Sequence, residues 1–207
     1  MKTSRLWGLA MLPLALAACG AQEEVGDQSG VMVTADTMAA ATMPPMDTMA
    51  AAGTGALSDA QVAAVLSVAD SGEIRPSQTA QQQAQNAQVQ EYAQMMVRDH
   101  GILEDSLRAL AQRLNVTPQP SPLSQQLRTQ ADSAMQALGG QSGAAFDQAY
   151  MQWMVQSHQA TLNALDQQLI PAIQNPEMRT MVQQRVRPAV EQHLQRAQQI
   201  QSSLGGA

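Results

Sequence analysis

Four long stretches of the chain repeat apolar residues at the three- and four-residue spacing of an α-helix. A shorter stretch with the same spacing lies between the second and third of them, and strand-like alternation of polar and apolar residues is missing. The sequence therefore predicts an all-α fold. Two short loops and one long connection are typical of a ferritin-like four-helix bundle with one short extra helix in the long crossover. We expect this domain to occupy residues 57–204.

Capping residues mark the predicted helix boundaries. Ser58 and Gln61 form the pattern of a capping box, and Leu57 and Val62 that of a hydrophobic staple, so the first helix should begin at Ser58. Further start and stop signals follow along the chain: Asn86, the prolines 118, 120 and 122, Ser121, the glycine pair 139–140, Ser142 and Asn175-Pro176.

Each long helix carries one residue with metal-binding chemistry on its apolar stripe. These residues are Glu73, His100, His158 and His193, and they include all three histidines of the chain. Counted from the predicted turns, Glu73 and His100 lie 13 and 14 residues from Asn86, and His158 and His193 lie 17 and 18 residues from Asn175. At about 1.5 Å rise per residue, the four side chains should share one layer near the middle of the bundle.

Three imidazoles and a carboxylate suit one transition metal ion: Zn, Fe, Mn or Cu. The pattern is not that of a di-iron carboxylate protein, because Val97 and Val190 stand where a Glu-x-x-His pair would need an acid before His100 and His193. The alternative is a metal-free polar network that fixes the packing of the helices. Both hypotheses require the same layer of side chains.

Other polar residues near this layer are expected to play smaller parts. Asp147 is about 16 Å along the helix axis from His158, too far for a shared ligand set. Asp99 and Glu191 flank histidines in sequence but face other directions, so they could at most support a ligand from outside. Pro76 and Pro188 interrupt helical hydrogen bonding, and we expect them to bend their helices around the core.

The N-terminus has the layout of a bacterial lipoprotein signal. Lys2 and Arg5 precede an apolar stretch too short to span a bilayer, and Leu16-Ala17-Ala18-Cys19 resembles a lipobox. We predict cleavage after residue 18 and acylation of Cys19, with an ordinary secretory signal as the alternative. Gly20 stands where an inner-membrane retention signal would have Asp, which favours the periplasmic face of the outer membrane. Residues 19–56, rich in Ala, Thr and Met, are predicted to be a disordered linker.

Composition excludes several classes of function. The chain has a net charge of −6, and losing residues 1–18 with Lys2 and Arg5 makes it −8, so nucleic acid is not an expected partner. Cys19 is the only cysteine, so an acylated chain has no thiol for a disulfide or a metal. An enzyme is the least supported class, because no spacing identifies a Ser-His-Asp arrangement or a phosphate-binding loop.

The predicted linker also contains methionines at three-residue spacing: Met43, Met46 and Met49. Thioethers are soft ligands that favour Cu(I), so copper handling is one interpretation of this segment. The repeated Thr-Met pairs at 37–38, 42–43 and 48–49 favour low-complexity drift instead.

Four segments in combination resemble one known family. They are Glu73 on the first helix, Tyr92 to His100 on the second, Phe146 to His158 on the third and Pro188 to Leu194 on the fourth. This combination resembles the family of domain of unknown function 4142 over about residues 58–203. The resemblance implies a ferritin-like fold and an exported, frequently outer-membrane protein, with no agreed activity. Pro76 departs from the uninterrupted first helix that the resemblance implies.

Overall fold

A computed structural model describes residues 56–205, and these residues form helices and connecting loops with no strand among them. The all-α prediction is therefore confirmed. We number five helices in chain order. The first three are α1 (Asp59–Gln83), α2 (Ala87–Arg113) and α3 (Pro122–Gly139). Two composite helices follow: α4 (Gly143–Ala164, Leu165–Leu169 and Ile170–Ala172) and α5 (Pro176–Met181, Val182–Val186 and Arg187–Leu204).

The predicted start signals act as helix caps. Ser58 accepts a hydrogen bond from the backbone N–H of Gln61, whose side chain accepts one from the backbone N–H of Ser58. Asn86 and Asn175 cap α2 and α5 with side-chain oxygens that accept hydrogen bonds from two backbone N–H groups of the first turn. Ser142 precedes α4 without a side-chain capping bond. Gly140 ends α3 with φ −89°, so its backbone does not use the left-handed conformation open to glycine.

Each composite helix contains one π-helical turn, which the apolar spacing did not reveal. The turns are Leu165–Leu169 and Val182–Val186, and each ends two residues before a proline, Pro171 or Pro188. A proline has no N–H to donate to the carbonyl four residues earlier, so one helical hydrogen bond is lost. The wider π turn accommodates this loss, and the helix continues beyond it. Pro76 lies inside α1 without such a turn, and the α-helix continues through it.

Carboxylates from one helix pair hold the turn of the other. Asp147 of α4 accepts hydrogen bonds from the backbone N–H groups of Gln85 and Asn86, between α1 and α2. Asp59 of α1 accepts them from Gln174 and Asn175, between α4 and α5. The two helix pairs are thereby fastened to each other at both ends, and Asp147 has a structural role far from the histidines.

The core consists of two hydrophobic clusters. Helix α1 packs against α2, α3 and α4, and α5 packs against α4 and α2. One cluster, here the aliphatic cluster, comprises Val62, Ala63, Val65, Leu66, Leu103, Leu107, Leu110, Leu123, Leu127, Leu162, Leu165, Leu169, Ala172, Ile173, Met178, Met181, Val182, Val186, Val190 and Leu194. The other, here the aromatic cluster, comprises Ala80, Ala84, Val89, Tyr92, Ala93, Met96, Ala134, Leu138, Phe146, Ala149, Tyr150, Met151, Trp153, Met154, Ala197 and Ile200.

The boundary between the two clusters follows the predicted site residues. It falls at Glu73 on α1, at His100 on α2 and at His158 on α4, and within one residue of His193 on α5. A polar layer therefore separates the two halves of the core.

None of the helices within residues 56–205 has both the length and the hydropathy needed to cross a membrane. The predicted lipidation site Cys19 and the methionines Met43, Met46 and Met49 lie outside the described residues.

Candidate metal centre

Glu73, His100, His158 and His193 meet in the polar layer between the two clusters. Each is buried, with at most 5% of its surface exposed. Every one of the four long helices supplies one of them, as the spacing along the sequence predicts. A shared layer is thus present, although its presence alone does not distinguish a metal site from a polar network.

The three imidazoles face one another at short range. Their ring centroids are 5.1 Å apart for His100 and His193, 5.6 Å for His158 and His193, and 5.9 Å for His100 and His158. One ring nitrogen from each histidine lies within 4.8 Å of the other two.

One nitrogen of each ring is held by a hydrogen-bond acceptor. His100 Nδ1 lies 2.8 Å from Asp70 Oδ1, and His193 Nε2 lies 3.1 Å from Asp99 Oδ2. His158 Nδ1 lies 2.8 Å from the backbone carbonyl of Met154, one helical turn earlier. A carbonyl or carboxylate at these positions favours the tautomer with its proton on the held nitrogen.

The other nitrogen of each ring is buried and has no hydrogen-bond partner among the described residues. These nitrogens are His100 Nε2, His158 Nε2 and His193 Nδ1. In the neutral ring with its proton on the held nitrogen, the other nitrogen carries a lone pair, which is the form that ligates metals. An unpaired buried polar atom ordinarily costs about 1–3 kcal/mol. His100 Nε2 lies at ion-pair distance from Glu73, but the nitrogens of His158 and His193 are a costly arrangement unless something fills the space between the rings.

Glu73 is the acid of the layer. Its Oε2 lies 2.9 Å from His100 Nε2, an ion-pair distance whose direction does not meet the criteria of a hydrogen bond. Its Oε1 accepts a hydrogen bond of 2.9 Å from the Ser157 hydroxyl and lies 3.4 Å from His158 Nδ1. The Ser77 hydroxyl also donates to the backbone carbonyl of Glu73, over 2.6 Å. Ser157 therefore holds the carboxylate of Glu73, and Ser77 holds its backbone.

The electrostatics of the metal-free layer centre on Glu73 and His100. Burial alone would raise the pKa of Glu73, but the attraction of His158 and His100, the close contact with His100 and the hydrogen bond from Ser157 outweigh it and hold the pKa at about 2. Burial would lower the pKa of His100, but Glu73 and Asp70 raise it to about 10. Without a metal, His100 is a buried imidazolium between two acids.

The other two histidines stay neutral. Burial and the charge of His100 lower the pKa of His193 to about 4. Burial also lowers the pKa of His158, against the attraction of Glu73. Burial raises the pKa of Asp70 to about 6 despite its bond to His100. His100 is thus the single cationic side chain among the three histidines.

Three nitrogens and one carboxylate oxygen make a donor set suited to a borderline ion. Ligand atoms at about 2.0–2.1 Å from a tetrahedral ion are roughly 3.4 Å from one another. The 2.9 Å between Glu73 Oε2 and His100 Nε2 is already near that value, whereas the histidine nitrogens, within 4.8 Å of one another, would close by up to about 1.4 Å. An ion would take the place of the proton on His100.

Sequence reasoning missed several supporting residues. Asp70 lies three positions before Glu73, on the same face of α1, and that spacing was the available signal. Ser157 adjoins His158, but only the packing of α4 against α1 brings its hydroxyl to Glu73. Asp99 does support a histidine, but it is His193 on the other helix pair and not its neighbour His100. Glu191 instead forms an ion pair with Arg187.

Comparisons with known proteins gave one match. The sequence profile of a family described as a domain of unknown function, number 4142, matches residues 44–200. Neither curated proteins nor solved structures gave a match. The matched range includes Glu73 and all three histidines.

Proposed function

The chain belongs to the family of domain of unknown function 4142, and we propose that this member binds one transition metal ion through Glu73, His100, His158 and His193. We further propose that the helices form a ferritin-like four-helix bundle with α3 in the crossover. The proposal assigns no reaction to the ion.

The proposal depends on how the two nitrogens of each imidazole are placed, one facing outward and one facing inward. Each ring is held from outside by Asp70, Asp99 or the Met154 carbonyl, and each presents inward a nitrogen that makes no hydrogen bond. Ligating histidines ordinarily show this arrangement, in which an outer acceptor fixes the tautomer and raises the basicity of the inner nitrogen. One ion would supply a partner for all three inner nitrogens at once.

The alternative function is that of a cofactor-free structural or stress-related envelope protein. The contacts of His100 favour it, since an imidazolium between Asp70 and Glu73 is a stable pairing without a metal. It leaves the inner nitrogens of His158 and His193 unpaired, however, and so explains less of the layer.

Metal binding is tested on the purified full chain. After stripping with chelator and incubation with Zn²⁺, Fe²⁺, Mn²⁺ or Cu²⁺, elemental analysis should find about one ion per chain for at least one metal. That metal should raise the melting temperature, since an ion at a hundredfold excess over its dissociation constant stabilises the folded state by about 2.7 kcal/mol.

Matched variants separate a ligand from a merely buried polar residue. His158→Gln and His193→Gln should abolish binding while the chain stays helical. Asp147→Asn changes a buried polar residue at the distant turn, so it should lower stability but keep the ion. A wild-type chain that binds none of the four metals, and melts identically with each, would leave the polar network as the better account.

We also propose that the protein is tethered by lipid on Cys19 at the periplasmic face of the outer membrane. This rests on the apolar leader and the lipobox-like sequence before that residue. Cys19→Ala should move the chain from the detergent phase to the aqueous phase in a partition assay. Continued recovery in the detergent phase would show a different anchor.

A further proposal is copper binding by Met43, Met46 and Met49. Met→Leu changes at these positions should lower Cu(I) uptake without altering metal binding by the helical domain.

A further inference from the structure

One carboxylate connects the polar layer to the surface. Asp99 has 29% of its side chain exposed, and its Oδ2 lies 3.1 Å from His193 Nε2. The other acids of the layer are enclosed, with 10% of the side chain exposed for Asp70 and 6% for Glu73. The third outer acceptor is the carbonyl of Met154, a residue with no exposed surface. A hydrated ion in solvent therefore meets Asp99 before the other acceptors of the layer.

His193, the histidine beside Asp99, has fewer ties to the layer than the other two. His100 and His158 lie 2.9 and 3.4 Å from the oxygens of Glu73, whereas His193 makes no ion pair with Glu73 in the described part of the chain. The outer nitrogen of His193 contacts Asp99, and its inner nitrogen makes no hydrogen bond. His193 is therefore the candidate ligand that can turn out of the layer with the fewest contacts broken.

A glycine weakens helix α2 beside these residues. Gly101 lies in the middle of α2, where glycine stabilises a helix less than alanine does. Packing does not require it, because no atom of the described residues, apart from its chain neighbours and its own helix backbone, lies within 4 Å of a Cβ placed there. By contrast, a Cβ on Gly72 would lie 3.1 Å from Ala131 Cβ. Gly101 thus makes a brief local opening of α2 next to Asp99 less costly.

We propose that metal ions enter and leave the centre between α2 and α5, where Asp99 takes the ion first and His193 turns outward to receive it. This inference rests on the proposed metal binding and adds its route. A cavity of about 20 Å³ adjoins Glu73 on the side of α1, α3 and α4, but its surface is almost entirely apolar and does not suit a hydrated ion. The route past Asp99 offers a charged oxygen at the surface.

Arg98 is the cation that an incoming ion would displace from Asp99. Its Nε lies 2.8 Å from Asp99 Oδ1, and 63% of its side chain is exposed. Exposed ion pairs of this kind are weak, so the guanidinium can give way to a divalent ion. Arg98→Gln should therefore raise the uptake rate about threefold. Arg108, with 58% of its side chain exposed, pairs with Glu104 and Asp105. Arg108→Gln removes the same charge and should leave uptake nearly unchanged.

The route is tested by stopped-flow rates of uptake and loss of Zn²⁺, or of whichever of the four metals the full chain binds, with a chromophoric chelator as indicator. Asp99→Asn keeps the size of the side chain and removes its charge, so uptake should slow about tenfold. Gly101→Ala stiffens α2, so uptake and loss should both slow about fourfold while their ratio, the affinity, stays unchanged.

Matched variants distinguish a route from ordinary support of a ligand. Asp70→Asn changes an enclosed carboxylate that contacts His100 as Asp99 contacts His193. It should speed loss of the ion and leave the uptake rate unchanged, because it supports a ligand without lying on the route. Gly139→Ala changes another glycine with open space around its Cβ position, at the end of α3, and should leave both rates unchanged.

The results separate this inference from the proposed function. If the wild-type chain takes up none of the four metals, both are wrong. If it binds an ion but Asp99→Asn only speeds loss, as Asp70→Asn does, Asp99 merely supports His193 and the route alone is wrong. Equal acceleration of uptake by Arg98→Gln and Arg108→Gln, or wild-type rates in Gly101→Ala, would likewise overturn the route and leave metal binding standing.

Discussion

The aliphatic and aromatic clusters pack against the same polar layer but contact it differently. All four aromatic residues of the described chain are in the aromatic cluster, and two of them reach the layer through hydrogen bonds. The Tyr92 hydroxyl donates to the His193 carbonyl over 3.3 Å. Tyr150 lies 2.8 Å from the Ser77 hydroxyl, whose proton goes to the Glu73 carbonyl, so Tyr150 is the donor of that pair.

The aliphatic cluster has no such means, because Leu, Val, Ile, Met and Ala side chains donate no strong hydrogen bond. It contains the apolar residues of both π turns, and Asp166 in the first turn accepts two hydrogen bonds from Arg187, the residue that follows the second. One half of the core therefore stabilises the fold by burial alone. The other half also holds the backbone of two candidate ligands in position.

The largest expected effect comes from truncating one large side chain on each side of the layer. Leu66→Ala in the aliphatic cluster should lower the free energy of unfolding by about 2–5 kcal/mol, and Tyr92→Ala by a similar amount, from lost burial and the cavity left behind. Only Tyr92→Ala should also weaken Zn²⁺ binding, by about tenfold or more. Urea unfolding and Zn²⁺ titration measure the two quantities. Equal losses of affinity in both variants would break the comparison.

The polar layer should make the free energy of unfolding depend on pH, as measured on metal-free protein in the presence of chelator. The pKa of His100 is raised to about 10, so its stabilisation is fully present below pH 6.5 and is lost as the pH rises toward 10. The free energy of unfolding should fall by up to about 1.4 kcal/mol per pH unit between pH 7 and 9. His100→Gln should remove this slope. His193→Gln should keep it, because the pKa of His193, about 4, lies outside this pH range. A slope that persists in His100→Gln would assign the proton elsewhere.

Removing an outer acceptor should have an intermediate effect on metal affinity. Asp70→Ala takes away the partner of His100 Nδ1 and should weaken Zn²⁺ binding by about 10- to 100-fold. Asp147→Ala removes a carboxylate that is as deeply buried but caps the distant turn, and should leave the affinity unchanged. Competition titration against a chelator of known affinity gives both values. An unchanged dissociation constant in Asp70→Ala would show that His100 needs no outer support.

The smallest expected effect is that of a single hydroxyl in the aromatic cluster. Tyr150→Phe keeps the ring and loses the bond to Ser77, so stability should fall by about 0.5–1.5 kcal/mol. Tyr92→Phe should act similarly through its bond to the His193 carbonyl. Thermal unfolding of the two variants and of their combination gives the values. A loss of 3 kcal/mol or more from either would indicate that the hydroxyl stabilises more than one neighbouring bond.

Sequence reasoning located the helices and the layer because both depend on local regularities. The caps at Ser58, Asn86 and Asn175 act on the next turn of the chain, and helical rise converts residue counts into heights. The same reasoning could not find the π turns, which change the register of a helix only where Pro171 and Pro188 lie inside a packed core. It also could not foresee that Asp59 and Asp147 hold turns formed by other helices.

By itself the sequence determined that the chain is helical and that one acid and three histidines stand at equal heights on four apolar stripes. Those facts follow from spacing along one dimension, which the chain fixes before it folds. Only the tertiary structure decided which nitrogen of each ring faces inward. Asp70, Asp99 and the Met154 carbonyl fix the orientation of the rings by accepting a hydrogen bond from the outer nitrogen of each. The two carboxylates lie on other helices than the histidines that they contact. A hydrogen bond between helices depends on the direction of both partners, and packing alone sets those directions.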